Sequence, residues 1–177
     1  YLDTEKYQGE IRPLPKALFY QRSGKHELWL TDLDADKAGI DVKQLKEQPD
    51  AQKAKRKFGN GISAVTKDGI ILKTPRLMII RGAKFDDPIF WEDKRPEEQG
   101  KIYGQVGVIP NLWEEWNNDD SKPGDPPFRK RRVILFFIVD EDGVPIHKKP
   151  ISLALHGGAS IKFVERYQQF LEQLESA

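Results

Sequence analysis

Two runs of cations in this chain are each joined to a phenylalanine. The first run is Lys53, Lys55, Arg56, Lys57 and Phe58, and the second is Phe128, Arg129, Lys130, Arg131 and Arg132. Cations contact phosphates and flat side chains stack on bases, so this combination is typical of surfaces that hold single-stranded nucleic acid. A third candidate places Arg81 and Lys84 shortly before Trp91. The alternative for each charge run is an ordinary solvated loop.

A pair of tryptophans indicates a different kind of contact. Trp113 and Trp116 are three residues apart in a segment that reads as a short capped helix with one aromatic face. Glu114 and Glu115 lie beside them and would repel phosphate. Because tryptophan is enriched at the energetic centres of protein interfaces, the pair favours a protein partner. Packing of both rings in the core is the alternative.

Catalytic chemistry has few candidate residues here. The 177 residues include no cysteine, which excludes disulfides, thiolate zinc sites and cysteine nucleophiles. The three histidines, His26, His147 and His156, show no His-x-Glu or His-Glu-x-x-His spacing. We therefore predict a non-enzymatic protein with no metal and no cofactor, and an unrecognised hydrolase is the alternative.

Two segments resemble ligand-binding loops. The acidic segment 32–36 resembles the start of a calcium loop, but Lys37 and Lys43 stand where glycine and a bidentate glutamate are needed. The segment 157–160 joins a strand to a helix whose free N–H groups could hold an anion. We interpret it as a tight turn and helix cap.

Composition sets the class of protein. The net charge is only +1, although the charged residues are clustered along the chain. The length predicts a single domain over residues 1–177. No apolar run approaches the roughly 20 residues that span a bilayer. We expect a cytoplasmic protein that does not contact membranes, and the oligomeric state is left open. Because the chain begins with Tyr1, we expect it to be a piece of a longer protein.

Short strands separated by turns dominate the predicted elements. The strands are expected at 17–20, 27–30, 62–65, 70–72, 77–80, 101–109, 133–139 and 151–155, with a hairpin turn at 67–69. A helical turn capped by Thr31 or Asp32 should end at Gly39. Residues 50–61 and 117–130 are predicted to be mobile loops.

A C-terminal helix over residues 159–175 is the clearest element. Phe163, Tyr167, Phe170 and Leu174 step by three and four along one face, which predicts a helix packed on the body. The fold class is therefore α+β and β-rich. We predict a small antiparallel OB-like or Greek-key barrel, or a sheet, with this helix packed on it. An α+β sandwich is the second choice.

Several short motifs are similar to those of an uncharacterised cyanobacterial family, a domain of unknown function. They are Leu14-Pro15, Leu28-Trp29-Leu30, Asp36-Lys37-Ala38-Gly39, Gly69-Ile70-Ile71-Leu72, Pro75-Arg76-Leu77, Asp140-Glu141-Asp142-Gly143-Val144-Pro145-Ile146-His147 and Leu153-Ala154-Leu155-His156-Gly157-Gly158-Ala159-Ser160 before Phe163. The stretch from Trp113 to Trp116 and the loop after it read as a departure from that pattern. The resemblance implies the domain outline and brings no catalytic residues.

Two functions are consistent with these residues. The first is a non-catalytic module that binds single-stranded nucleic acid, such as single-stranded DNA, through basic and aromatic loops. The alternative is an accessory subunit of a larger, for example nucleic-acid-processing, complex that contacts its partner through Trp113 and Trp116.

Overall fold

A computed structural model of the chain describes residues 14–22, 25–47, 51–58, 62 and 64–175. The strands are β1 (Lys16–Arg22), β2 (Lys25–Thr31), β3 (Ala51–Phe58), β4 (Val65–Leu72), β5 (Leu77–Arg81), β6 (Phe90–Asp93), β7 (Ile102–Gln105), β8 (Phe128–Ile138) and β9 (Ile151–His156). The helices are α1 (Asp32–Ala38), α2 (Val42–Lys46), α3 (Leu112–Asn117) and α4 (Gly157–Glu175), with a 3₁₀ turn at Pro96–Glu98.

The strands form an open, mostly antiparallel sheet. Its order is β3-β4-β2-β1-β9-β8-β6-β7, with β5 paired to β8 and a parallel pair between β1 and β9. The α+β class and the C-terminal helix are confirmed. The prediction of a closed barrel is wrong for the described residues. Strands β3 and β7 are the two ends of the sheet, and no pairing there joins them. The exposed lysines of β3 give one reason, because charges on an edge strand discourage further pairing.

The chain divides into two compact units. The first unit contains residues 1–80 and 135–153, and the second contains residues 81–134 and 154–177. Strands β8 and β9 therefore each contribute residues to both units. The length predicts a single domain over residues 1–177, and this stays a prediction.

The first unit is built on β2 and β4. Trp29 pairs with Ile71 and Leu30 pairs with Ile70, and all four side chains are buried. Helix α1 follows β2 directly, because the Thr31 hydroxyl accepts from the backbone N–H of Asp34 at 2.9 Å. The helix ends at Gly39, whose φ of 87° is left-handed. Both predicted ends of this helix are confirmed.

In this unit, one predicted turn and one predicted loop are strands instead. Residues 67–69 do not form a hairpin turn, since β4 runs straight through Gly69. A Cβ atom there would lie 2.7 Å from the carbonyl oxygen of Leu30 and 2.8 Å from the ring of Trp29. The glycine thus serves close packing and not a turn. The loop predicted at 50–61 is strand β3 over the described residues 51–58, paired with β4 along its length.

Strand β5 also differs from expectation. The apolar run predicts a central, two-sided strand, but alternate residues such as Met78 and Ile80 are exposed. This strand pairs only with β8, outside the main order of the sheet. The prediction of a central position is therefore wrong.

We expect the first unit to lose stability as the pH falls from 7 towards 5, because of His147. Its Nε2 atom accepts from the backbone N–H of Ile138 at 2.9 Å, so Nδ1 carries the proton and faces the carbonyl oxygen of Lys149 at 2.7 Å. Burial lowers the pKa of His147 below its usual value. The contribution of His147 to the free energy of unfolding is therefore complete above the ordinary histidine pKa of about 6.5, and it declines as the pH falls below that value.

Urea unfolding at several pH values checks this expectation. His147→Asn should be about 1–3 kcal/mol less stable at pH 7, since the buried N–H of Ile138 loses its acceptor. The difference from the unsubstituted protein should shrink towards pH 5. A difference that stays constant with pH would contradict the role given to His147.

The second unit is built around β6, which lies between β7 and β8. Helix α4 begins at Gly157 and keeps nearly the predicted bounds. Only Ser160 and Val164 are buried along it, whereas Phe170 and Leu174 are 53% and 58% exposed. Burial is greatest in the first two turns, and Tyr167 and Leu171 beyond them are half-buried.

Candidate functional site

The basic run at the start of β8 is divided between the two faces of the sheet. Residues 128–132 belong to a strand, so their side chains alternate in direction. Cross-strand pairing places Arg129 opposite Glu92 and Lys130 opposite Trp91. The four cations expected in one loop therefore do not act on one surface.

One face carries an ion-paired cluster around Glu92. This buried carboxylate lies 2.5 Å from Nε of Arg129, 3.3 Å from Nη1 of Arg131 and 2.8 Å from Nε2 of His156. Burial lowers the pKa of His156, and the charge of Arg129 lowers it further. The histidine is therefore neutral at pH 7, and the cluster holds one negative and two positive charges. Each arginine donates one hydrogen bond to this carboxylate.

Arg132 is buried on the other face, with 7% of its surface exposed. Its Nη1 atom donates to the carbonyl oxygens of Gly82 at 2.9 Å and Lys84 at 2.8 Å, and its Nε atom donates to the Ser160 hydroxyl at 3.0 Å. This arginine joins β8 to the turn after β5 and to helix α4. It therefore has almost no surface to offer a phosphate.

Lys130 lies between two tryptophans on the same face as Arg132. Its Nζ atom is 5.5 Å from the ring centre of Trp91 and 4.8 Å from that of Trp113. The two indoles meet edge to face at 5.1 Å. Cation–π attraction of this kind contributes about 0.5–2 kcal/mol according to exposure. Trp91 is buried, whereas Trp113 is 38% exposed.

The rings of Tyr103, Trp113, Trp116 and Phe128 form a surface that we call the aromatic patch. Phe128 meets Tyr103 edge to face at 5.4 Å and Trp116 at 5.9 Å. Two further lysines lie over these rings, Lys101 at 5.0 Å from Tyr103 and Lys122 at 5.1 Å from Trp116. The patch therefore combines partly exposed rings with exposed cations.

Helix α3 positions the two tryptophans. Its N-terminus is capped by Asn111, whose side-chain oxygen accepts from the backbone N–H groups of Trp113 and Glu114. The indole N–H of Trp113 donates to the carbonyl oxygen of Phe128 at 2.9 Å, and that of Trp116 donates to Gly124 at 3.1 Å. Each indole thus fixes the loop between α3 and β8 while keeping part of its ring accessible.

A buried carboxylate positions Tyr103. Asp93 accepts from the Tyr103 hydroxyl at 2.6 Å, from the backbone N–H of Arg95 and from its guanidinium at 2.8 and 3.1 Å. The hydrogen bonds from the Arg95 side chain hold the pKa of Asp93 well below its usual range. The hydrogen bond to Asp93 raises the pKa of Tyr103. The phenol is therefore neutral at physiological pH and is held in one orientation.

Residues 36–177 match a family described as a domain of unknown function, DUF5895. The chain belongs to this family. No curated protein and no solved structure matches it. Membership confirms the resemblance to an uncharacterised family, although Leu14-Pro15 and Leu28-Trp29-Leu30 lie before the matched residues. The cyanobacterial origin stays a prediction.

The first basic run lies in the other unit, on β3. Lys53, Lys55 and Lys57 are exposed and alternate with Ala54 and Arg56 along the strand. The guanidinium of Arg56 lies 5.7 Å from the ring centre of Trp29, so it is engaged with the body of the first unit. The Phe58 side chain lies outside the described residues.

The third candidate group is dispersed. Arg81 is half-buried at the end of β5, and Lys84 is exposed in the turn that follows. Within the described residues, Lys84 makes no cation–π contact with the aromatic patch. Of the predicted site residues, the structure brings together Trp91, Lys130 and Phe128 with the two tryptophans.

The sequence did not single out several residues around the patch. They are Lys94, Lys101, Tyr103, Asn117, Lys122 and Asp125. Tyr103 lies two residues after Lys101 in a short predicted strand. Residues two apart in a strand share a face, which is a weak signal for an aromatic beside a cation. Lys94, Asn117 and Asp125 come from separate segments, and no local pattern marks them.

Two features are absent from the part of the chain that the structure describes. No group of three or more acidic or histidine side chains is placed there to hold a metal ion. No described helix has the length and apolar character to cross a membrane.

Proposed function

We propose that this domain is a non-catalytic module that binds single-stranded nucleic acid on the aromatic patch. The observation that carries the proposal is a pair of edge-to-face ring groups, Trp91 with Trp113 and Phe128 with Tyr103 and Trp116. The indole N–H of Trp113 joins the two groups by donating to the carbonyl oxygen of Phe128, and lysines lie over the rings of Trp91, Trp113, Trp116 and Tyr103. Accessible rings stack on unpaired bases, whereas lysines contact the backbone between them. A duplex hides the faces of its bases, so this arrangement favours single strands.

The distribution of charge supports the same surface. Lys94, Lys101 and Lys122 are exposed beside the rings, and none of them forms an ion pair within the described residues. By contrast, the arginines on the opposite face of β8 are bound to Glu92. The exposed cations without an ion pair in this part of the described chain are therefore the lysines beside the rings.

We expect Trp113→Ala to weaken binding to a mixed-sequence single strand by about 1–3 kcal/mol, the contribution of one stacked base. Trp113→Phe keeps a ring but removes the indole N–H that holds Phe128, so it separates stacking from the hydrogen bond. Fluorescence anisotropy with labelled single- and double-stranded oligonucleotides at two salt concentrations measures both effects. Thermal unfolding of each variant shows whether the domain is intact.

Lys130→Gln and Arg129→Gln form a matched pair on neighbouring residues of β8. Lys130→Gln removes one phosphate contact. The slope of log K against the logarithm of the salt concentration should therefore become less steep by about 0.7. Arg129→Gln, on the Glu92 face, should change it by less than half as much. Absent binding at low salt, or binding that does not depend on salt, would overturn the proposal.

One observation favours a protein partner as the second candidate. Glu114 and Glu115 are exposed on α3 next to Trp113, and a nucleic-acid backbone would be repelled there. A partner with a basic surface would instead complement these carboxylates. In that case no oligonucleotide would bind, a pull-down would recover a stable partner, and alanine at both Trp113 and Trp116 would abolish its capture without unfolding the domain.

A further inference from the structure

An open pocket of about 320 Å³ lies within the second unit, beside the aromatic patch. It is lined by Lys94, Trp113, Asn117, Asp125, Pro126 and Phe128. Its volume is at the lower end of the range for small-molecule sites, which suits one planar heterocycle better than a large ligand. Trp113 and Phe128 supply aromatic walls on which such a ring can stack.

Three polar side chains of this pocket have no partner of their own. Lys94, Asn117 and Asp125 make no side-chain hydrogen bond or ion pair within the described part of the chain. Together they offer a cation with donors only, an amide with both kinds of group, and a carboxylate with acceptors only. All three are exposed to solvent. A base pairs with them most fully when it presents two adjacent donors to the carboxylate and an acceptor to the ammonium or the amide.

Guanine is the base that meets this requirement. Its Watson–Crick edge carries two neighbouring donors, N1–H and the N2 amine, and the O6 acceptor follows them. A carboxylate accepts from both donors side by side, and an ammonium or amide donates to O6. Adenine and cytosine present one amine beside acceptors, and thymine presents a single N–H between two carbonyl groups. None of these three bases gives a carboxylate two adjacent donors.

We infer that this pocket selects a guanine base, with Asp125 accepting from N1–H and N2–H and with Lys94 or Asn117 donating to O6. The inference rests on the proposed function and names the base that the aromatic patch prefers. A good bidentate contact to a base is worth about 1–3 kcal/mol of discrimination, which corresponds to about 5- to 150-fold in affinity.

Single-substituted oligonucleotides test the inference directly. The full chain is titrated with labelled oligo(dT) strands that carry one central dG, dA, dC or deoxyinosine. The strand with dG should bind at least fivefold more tightly than those with dA or dC. Deoxyinosine lacks the N2 amine but keeps N1–H and O6, so it should fall between dG and dA. Equal affinity for all strands would overturn the inference and leave strand binding intact.

Two variants assign the selectivity to the carboxylate. Asp125→Asn replaces one acceptor with a donor and should remove the preference for dG while oligo(dT) still binds. Asp120→Asn removes an exposed carboxylate from the same loop that does not line the pocket, so it should keep the preference. An unchanged preference in Asp125→Asn would overturn the role of Asp125.

Competition with dGMP and dAMP distinguishes a base in a strand from a free nucleotide. Displacement of the dG strand by dGMP, and not by dAMP, supports the guanine pocket. If dGMP binds but no oligonucleotide does, the pocket stands and the proposed strand binding fails. If neither dGMP nor any oligonucleotide binds at low salt, both proposals fail.

Discussion

Gly82→Ala is expected to destabilise the domain by about 3 kcal/mol or more, because the backbone conformation and the space around it both require glycine. The φ of Gly82 is 97°, in the left-handed region. A Cβ atom at this position would overlap the carbonyl oxygen of Val133 and lie 2.9 Å from the Cα atom of Ile134. Both are backbone atoms of a central strand and cannot move aside as a flexible side chain does.

The effect extends to Arg132. The Gly82 carbonyl oxygen accepts from this buried guanidinium, and its N–H donates to Asp87 at 3.0 Å. A shift of the turn would leave a buried charge with fewer acceptors, and such losses are costly. The loss of stability should therefore exceed that of a simple change in φ.

Gly107→Ala is the matched control for this substitution. Its φ is 86°, but apart from its chain neighbours no described atom lies within 4 Å of the added Cβ. It should cost only the strain of the left-handed conformation, about 1–2 kcal/mol. Urea unfolding followed by tryptophan fluorescence measures both variants. Equal losses would show that the close approach at Gly82 is relieved without cost.

Local signals in the sequence were sufficient for elements that carry their own start and stop residues. Thr31 and Gly39 delimit α1 because a side-chain cap and a left-handed glycine act within a few residues of the helix. The apolar stripe of α4 likewise predicted the length of that helix. It did not predict the extent of packing, because Phe170 and Leu174 have the right spacing but are not covered by any described residue.

Strands that depend on distant partners were the main failures. Nothing in the lysine-rich sequence of β3 favours a strand, and its conformation comes from pairing with β4. Gly69 resembles a turn residue by its neighbours, but the packing of Trp29 against it decides its role. Both features depend on contacts between residues far apart in the chain.

The candidate site was predictable as a set of residue types but not as a surface. We expected β8 to begin at residue 133, and it begins at Phe128. This difference of five residues converts a basic loop into a strand, and alternation then separates Arg129 from Lys130. The pocket residues Lys94 and Asp125 come from segments without any shared pattern, so only the folded chain brings them together.

Asp93→Asn should destabilise the second unit by about 2–3 kcal/mol at pH 7, since the carboxylate accepts four hydrogen bonds, two of them from a guanidinium. Asp93 is 1% exposed, so water cannot replace Arg95 and Tyr103 as partners. An asparagine amide would direct donors at the donors already present. Arg95 is partly exposed and can be hydrated after the loss, which keeps the cost below that of a fully buried ion pair.

The pH dependence separates this carboxylate from exposed ones. Because the pKa of Asp93 is held below its unfolded value of about 3.9, its contribution is complete above that pH and declines as the pH falls through it. In urea unfolding, the gap between Asp93→Asn and the unsubstituted protein should be constant from pH 7 to 5 and should narrow between pH 4 and 2. Glu97→Gln removes an exposed carboxylate nearby and should show little difference at any pH. If the gap at pH 2 remained as large as at pH 7, shape alone and not charge would explain the role of Asp93. Tyr103 would then be oriented by packing, and the aromatic patch would keep its geometry in acid.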